Sequence, residues 1–200
     1  MNYLDYLRTD KFPHFWCSGC GNGIVLCAIA RAFEELDLTL ENTEVVTGIG
    51  CWGKADDYVR TNSFHGTHGR ALAFATGIKL ANPSLNVVVL MGDGDGITIG
   101  GNHFIHAARR NVDVTAILVN NFNYGMTGGQ YSGTTPEERI TTTSRYGHIE
   151  EGFDICAVAK AAGARYVARA STENPQQLKN LIRDGIKKQG FACIEAISPC

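Results

Sequence analysis

The sequence predicts an α/β fold: a parallel sheet with helices on both faces. Three observations carry the class. Asn86–Met91 (NVVVLM) and Val114–Val119 are apolar without alternation, as strands covered on both faces are. Helical patterns separate the strand candidates, the alternation that builds parallel sheets. Gly-, Asp- and Asn-rich turns follow directly on strand ends, where open α/β sheets collect ligands.

The elements follow in order. Gly23–Leu36 reads as a helix with Ile24, Cys27, Ala30 and Phe33 on one face. Glu44–Thr47 is a short strand ending at Gly48. Arg70–Leu80 is a helix of small apolar residues, stopped by Asn82-Pro83. Asn86–Met91 is a strand, Gly101–Arg110 a helix with a basic end, Val114–Val119 a strand. Residues 122–151 are polar and rich in Gly and Thr, longer than a compact domain needs, which marks a functional loop. Asp154–Ala162 is a helix and Arg165–Ala168 a strand. Asn174–Lys188 is a helix with Asn174 as N-cap, Pro175 first and Gln177 third. Phe191–Ile197 is the last strand. No repeat or linker interrupts the pattern, so one domain is expected over residues 1–200.

Composition narrows the function. At 44% hydrophobic and 19% charged residues the chain is globular. Its 18 basic and 20 acidic residues give −2, without the basic excess of a nucleic-acid binder. Val87–Met91, the longest apolar run, is too short for a membrane span. Met1–Phe15 lacks the apolar stretch of a secretory leader. The expectation is a cytoplasmic protein whose seven cysteines, an odd number, stay reduced.

Gly92-Asp93-Gly94 closes one strand and Asn120-Asn121 closes the next, with 25 residues between them. Glycines let backbone approach a phosphate, and helix Gly101–Arg110 offers amides nearby. Asp93 and Asn121 supply the hard oxygens that Mg²⁺ takes, or else they are only turn residues ending strands. The pair at this spacing resembles the thiamine diphosphate motif. There the Asp, the second Asn and a main-chain carbonyl two residues on hold the metal, roles that fall on Asp93, Asn121 and Asn123.

Cys17-Ser18-Gly19-Cys20 admits three readings. A thioredoxin-like redox pair wants a preceding strand, and none is read there. Half of a zinc site wants a second close pair, and the other cysteines are scattered. An iron–sulfur cluster with two adjacent and two distant ligands takes Cys51 and Cys200, both placed after strand ends on the rim that carries Asp93 and Asn121. Cys27, Cys156 and Cys193 lie in apolar elements and read as small buried fillers.

Several motifs then agree: Trp16-Cys17-Ser18-Gly19-Cys20-Gly21-Asn22-Gly23, Gly48-Ile49-Gly50-Cys51, His68-Gly69-Arg70, Gly92-Asp93-Gly94-Asp95, Ile99-Gly100-Gly101-Asn102-His103, and Asn120-Asn121 with Tyr124-Gly125-Met126-Thr127-Gly128-Gly129-Gln130. Together, from about Lys11 to Cys200, they resemble the β subunit of 2-oxoacid:ferredoxin oxidoreductases. The resemblance implies Cys17, Cys20, Cys51 and Cys200 as ligands of a [4Fe–4S] cluster. It implies a CoA-dependent, reversible conversion of a 2-oxoacid to acyl-CoA and CO₂, with electrons passing to ferredoxin. It places Ile49, Gly50, Cys51, Trp52, His68 and Gly69 along thiamine diphosphate, and Gly92, Gly94, Asp95, Gly125, Met126 and Thr127 around its diphosphate.

It also implies an α subunit, which brings the carboxylate that activates the cofactor and most of the coenzyme A site. None of Glu34, Glu35, Glu150 and Glu151 lies in a matching motif. Small ferredoxin-like subunits are a further partner class. The stretches Cys51-Trp52-Gly53-Lys54 and His65–Arg70 look most like the 2-oxoglutarate subgroup; pyruvate and branched-chain 2-oxoacids are the alternatives. Lys54 is a candidate contact for a distal substrate carboxylate, or else a solvated surface lysine. Two departures stand out. The family's β subunits continue past the residue that ends this chain, Cys200, so a C-terminal extension is expected. Gly133 replaces a common Pro. The rivals are a non-redox thiamine diphosphate decarboxylase subunit with structural cysteines and a non-catalytic, thioredoxin-like protein.

Overall fold

Strands β1 (Thr43–Thr47), β2 (Asn62–His65), β3 (Asn86–Gly92), β4 (Thr115–Asn120), β7 (Tyr166–Ser171) and β8 (Ala192–Ile197) form one sheet in the order β2-β1-β3-β4-β8-β7. Every pairing is parallel, with Thr47 opposite Leu90, Gly92 opposite Val119 and Asn120 opposite Ile197. All carboxyl ends therefore meet at one rim. A short antiparallel pair, β5 (Asn123–Tyr124) and β6 (Gln130–Tyr131), stands above it. The structure, a computed structural model, describes residues 1–200.

Helices α1 (Asn22–Glu35) and α5 (Pro175–Lys187) cover one face, and α2 (Ala71–Ala81), α3 (Gly101–Arg109) and α4 (Ile155–Ala161) the other. The central strands divide their side chains accordingly. Val88, Leu90, Ile117, Val119 and Ile194 enter the core under α1 and α5, while Val87, Val89, Met91, Leu118 and Cys193 enter the core under the other three. Both faces are dry, which is why β3 and β4 show no alternation.

The ten helices and strands read from the sequence all form, with ends shifted by up to three residues. On α1 the expected face is half right: Ala30 and Phe33 are buried, Ile24 and Cys27 are not. Val25, Leu26, Ile29, Ala32 and Phe33 are buried, whereas Ile24 is exposed and Cys27 half-buried. Residues taken strictly three apart drift by about 60° per step around a helix, so such a row cannot keep one face. Strand β2 was not foreseen: all four of its residues are exposed on the sheet edge, and it lacks an apolar pattern. The filler reading holds for Cys193 alone. Cys27 sits beside Arg31, and the Cys156 thiol donates to Glu195 at 3.3 Å. Burial next to that carboxylate pushes Cys156 up to about 12.

The caps are as written in the sequence for α5, where Asn174 Oδ1 accepts from the Gln177 N–H at 3.0 Å. On α4, Asp154 Oδ1 accepts from the Ala157 N–H at 3.0 Å and from Arg169 at 2.6 Å. These bonds hold the Asp154 carboxyl below the ordinary range. Asp154→Ala is expected to cost about 1 kcal/mol at neutral pH. The contribution is present above the unfolded-state pKa and lost as pH falls through the depressed folded one, so the melting temperatures of parent and variant should converge in acid.

No helix is long and apolar enough to cross a membrane.

Candidate active site

Four strand ends deliver the chemistry. β1 runs through Gly48-Ile49-Gly50 to Cys51, which opens a 3₁₀ turn over Trp52–Tyr58. β3 runs into Asp93, β4 into Asn121, and β8 through Ser198-Pro199 to Cys200. Between them lies a cleft of about 120 Å³. Ile49, Gly50, Cys51, Trp52 and His68 form one wall, and Asp93, Gly94, Asp95, Asn121 and Asn123 the base. Gly92, Gly125, Met126 and Thr127 also border the cleft. Of the residues expected along the cofactor, only Gly69 stays off the lining, and its N–H is spent on Asp95 at 2.7 Å.

Asp93 is buried. Its Oδ2 accepts from the hydroxyls of Ser132 (2.5 Å) and Thr134 (2.7 Å). Burial raises its pKa, against the pull of those two hydroxyls. Asn121 Oδ1 accepts from the Asn123 N–H at 3.3 Å, and Asn123 Nδ2 returns a bond to the Asn121 carbonyl at 2.9 Å. Asn123 Oδ1 is buried without a partner. Oxygen donors therefore converge in one corner, one of them orphaned, which is the donor set Mg²⁺ prefers. A Cβ placed on Gly50 or Gly92 would meet no protein atom within 4 Å, so backbone there is bare to the cleft. These features fit a diphosphate with its metal.

The amides beside Asp93 are not those of α3, as the sequence reading had it. A π-helical turn, Gly94–Ile99, intervenes and brings Gly94 and Asp95 to the cleft. Asp95 has a second task that the motif did not reveal. Its buried Oδ1 accepts from His68 Nδ1 (2.6 Å), the Gly69 N–H (2.7 Å) and the Ile49 N–H (3.3 Å). One carboxylate thus ties together three segments that line or back the cleft. Tyr124 closes over Gly94 and donates to its carbonyl at 3.2 Å.

The 122–151 loop reaches Asp93 through Ser132 and Thr134. The Gly133 N–H donates to Thr98 Oγ1 at 3.0 Å, a bond a proline there could not make.

The cysteines gather as the strand ends dictate. Cys20 and Cys51 thiols are pushed up, first by burial and then by neighbouring sulfurs: Cys200 and Cys17 act on Cys20, and Cys20, Cys200 and Cys17 on Cys51. Such mutual repulsion is what a cationic core relieves. No three of the four sulfurs lie within 4.8 Å of one another. Trp16, buried between Trp52 and Tyr58, donates from Nε1 to the Cys51 carbonyl at 2.6 Å and joins the Cys17 segment to Cys51. The Gly21 N–H meets the Pro199 carbonyl at 3.5 Å, joining the same segment to Cys200. Cys200 Sγ itself lies against Gly125, at the edge of the cleft. No strand precedes Cys17, so the thioredoxin-like arrangement is not formed.

Lys54 does not line the cleft. Its ammonium pairs with Asp57 at 2.6 Å on the exposed side of the 3₁₀ turn, which favours the surface-lysine reading. Glu35 is spent on Lys179 and Arg183 between α1 and α5. The only carboxylates on the cleft are Asp93 and Asp95, both engaged by hydrogen-bond donors.

Residues 48–196 match the family described as thiamine pyrophosphate enzyme, C-terminal TPP binding domain. The chain is 54% identical to the 2-oxoglutarate synthase subunit KorB of Methanothermobacter marburgensis, covering 99% of this chain and 70% of the relative. It is 54% identical to the subunit of that name from Archaeoglobus fulgidus, covering 99% and 74%. Among solved structures, the 2-oxoglutarate:ferredoxin oxidoreductase from Magnetococcus marinus with 2-oxoglutarate, coenzyme A and succinyl-CoA bound superposes with a TM-score of 0.97 at 39% identity, covering 100% of this chain and 68% of that one. The chain belongs to the thiamine pyrophosphate enzymes and, within them, to the family of 2-oxoglutarate:ferredoxin oxidoreductase β subunits.

Proposed function

We propose that this chain is the thiamine diphosphate-carrying β subunit of a 2-oxoglutarate:ferredoxin oxidoreductase, converting 2-oxoglutarate and coenzyme A to succinyl-CoA and CO₂ as ferredoxin is reduced. The observation that carries the reading is that one cleft has Asp93, Asn121 and Cys51 on its walls, brought there by three adjacent parallel strands.

Bound thiamine diphosphate supplies the carbanion that attacks the keto carbon and the electron sink that lets CO₂ leave. Asp93, the Asn121 side chain and the Asn123 carbonyl would hold its Mg²⁺. Gly92, Gly94, Asp95, Gly125, Met126 and Thr127 would surround the diphosphate, mainly with backbone. Ile49, Gly50 and Trp52, which line the cleft, would lie along the cofactor. His68 is oriented by Asp95, and Gly69 is fixed by the same carboxylate.

Cys17, Cys20, Cys51 and Cys200 would ligate a [4Fe–4S] cluster, which takes electrons singly to ferredoxin. Cys51 belongs to both sites, since it also lines the cleft, so the electron path from substrate to cluster is short. By the family resemblance, the carboxylate that activates the cofactor would come from an α partner, together with most of the coenzyme A site. Reduced cysteines and an oxidation-sensitive cluster suit the cytoplasm.

The test is co-expression with the α partner and CoA-dependent viologen reduction with 2-oxoglutarate, pyruvate, a branched-chain and an aryl 2-oxoacid. The expected result is a clear preference in kcat/KM for 2-oxoglutarate. Preference for pyruvate would reject the subgroup. No turnover of any of them, with cofactor and cluster bound, would reject the enzyme class.

A further inference from the structure

One buried charge has no part in that chemistry. Glu195 lies within β8, 2% exposed, on the face under α4. Its Oε2 accepts from Arg169 Nε at 2.7 Å and from the Cys156 thiol at 3.3 Å. Its Oε1 accepts from Asn120 Nδ2 at 2.8 Å. A core carboxylate is costly to bury, so where its bonds lead is informative.

They lead to Asp93. Asn120 ends β4 and is the first residue of the Asn pair. Its amide can face only one way, because the Phe122 N–H needs its oxygen (3.1 Å) and Glu195 needs its nitrogen. The single proton of Thr134 Oγ1 lies between two acceptors, Asp93 Oδ2 at 2.7 Å and the Asn120 oxygen at 3.0 Å, so the amide oxygen fixes where that hydroxyl stands. Ser132 Oγ, 3.0 Å from Thr134 Oγ1, grips the same carboxylate oxygen. With Oδ2 held by the Ser132 hydroxyl and by the proton that Thr134 shares between it and Asn120, the rotation of the carboxylate is set, and with it the direction of Oδ1. All five residues are buried.

We propose that Glu195 is a positioning residue for the metal site: through Asn120 and Thr134 it sets the rotation of the Asp93 carboxylate. The inference rests on Asp93 being a metal ligand. Partners bonded directly to a metal ligand, as Thr134 is to Asp93, typically govern about 10–100-fold in metal affinity, and Glu195 acts through them.

The experiment uses the αβ complex, stripped of metal and thiamine diphosphate, then titrated with Mn²⁺ at saturating thiamine diphosphate, with bound ion read by EPR. Glu195→Gln leaves one side-chain oxygen for two strong donors, Asn120 and Arg169. It is expected to raise the Mn²⁺ Kd, by up to about 10-fold because it acts through two intervening residues. Iron content should stay at the parent level and kcat should recover at saturating metal. Thr134→Val keeps the volume and loses the hydroxyl, and should weaken Mn²⁺ in the same sense, with Thr134→Ser restoring it. A folded Glu195→Gln complex that binds Mn²⁺ with parent affinity overturns the proposal, whatever Thr134→Val does. If Glu195→Gln does not fold, the Thr134 pair decides: parent affinity in Thr134→Val overturns the relay, and weakening rescued by serine supports it. A parent complex that binds no Mn²⁺ overturns the Asp93 reading itself, and the relay with it.

Discussion

Cys51→Ser is expected to yield a complex that still binds Mg²⁺ and thiamine diphosphate but carries no intact [4Fe–4S] cluster and reduces ferredoxin only at background. The substitution changes one soft ligand to a hard one in nearly the same volume. The surrounding structure has reason to persist, because Trp16 holds the Cys51 carbonyl and not its side chain. The cleft wall on either side is held independently, Ile49 by Asp95 and Trp52 by burial against Trp16. Iron analysis, the brown charge-transfer absorbance and EPR of the dithionite-reduced complex check it. Full iron content in Cys51→Ser would remove Cys51 from the ligand set. Cys27→Ser, at a half-buried position in α1 away from the cleft, is the matched control and should keep both iron and activity.

Gly48→Ala should be the most disruptive single-methyl change in the cleft. A Cβ at Gly48 overlaps the Asp95 carboxylate. That carboxylate cannot swing aside, since His68 and two backbone N–H groups hold its other oxygen. Nor can the Gly48 backbone retreat, because its carbonyl is already packed against Gly53, where an added Cβ would come to 2.5 Å of it. Overpacking of this kind costs about 3 kcal/mol. For a chain of this size that is a fall in Tm on the order of 6–12 °C. Thiamine diphosphate binding should weaken with it, because Asp95 can no longer set Ile49, His68 and Gly69 together. Gly77→Ala shows the opposite sign: Gly77 is exposed within α2 with nothing within 4 Å of its Cβ, so alanine should stabilise by about 1 kcal/mol. Differential scanning calorimetry of the two variants beside the parent decides both.

The sheet was legible because each central strand is dry on both faces, which leaves an unbroken apolar run such as Val87–Met91. The rim was legible for a topological reason: in an all-parallel sheet, residues just after strands must meet, so Cys51, Asp93, Asn121 and Cys200 could be grouped without knowing the strand order. What escaped had no periodic or local pattern. Strand β2 is a polar edge strand whose only strong packing is Phe64 on Phe74, at 4.9 Å between ring centroids. The π turn of Gly94–Ile99 has no spacing rule that would separate it from a loop. Asp95 was assigned to the diphosphate by its motif, while its carboxylate in fact serves residues 26 to 46 positions away. Ser132, Thr134 and Glu195 meet Asp93 and Asn120 across 14 to 75 residues of chain. A glutamate inside ACIEAI was nonetheless a visible anomaly, since a charge in a buried strand must have partners.

The central claim is that one rim of one sheet carries both a thiamine diphosphate site and a four-cysteine cluster site. It is tested most directly by anaerobic purification of the αβ complex and assay of iron, acid-labile sulfide, zinc and thiamine diphosphate on the same sample. The account predicts four iron and four sulfide with one thiamine diphosphate per β chain, and an EPR signal on reduction. Zinc in place of iron, or thiamine diphosphate bound with no iron under strictly anaerobic conditions, would contradict it.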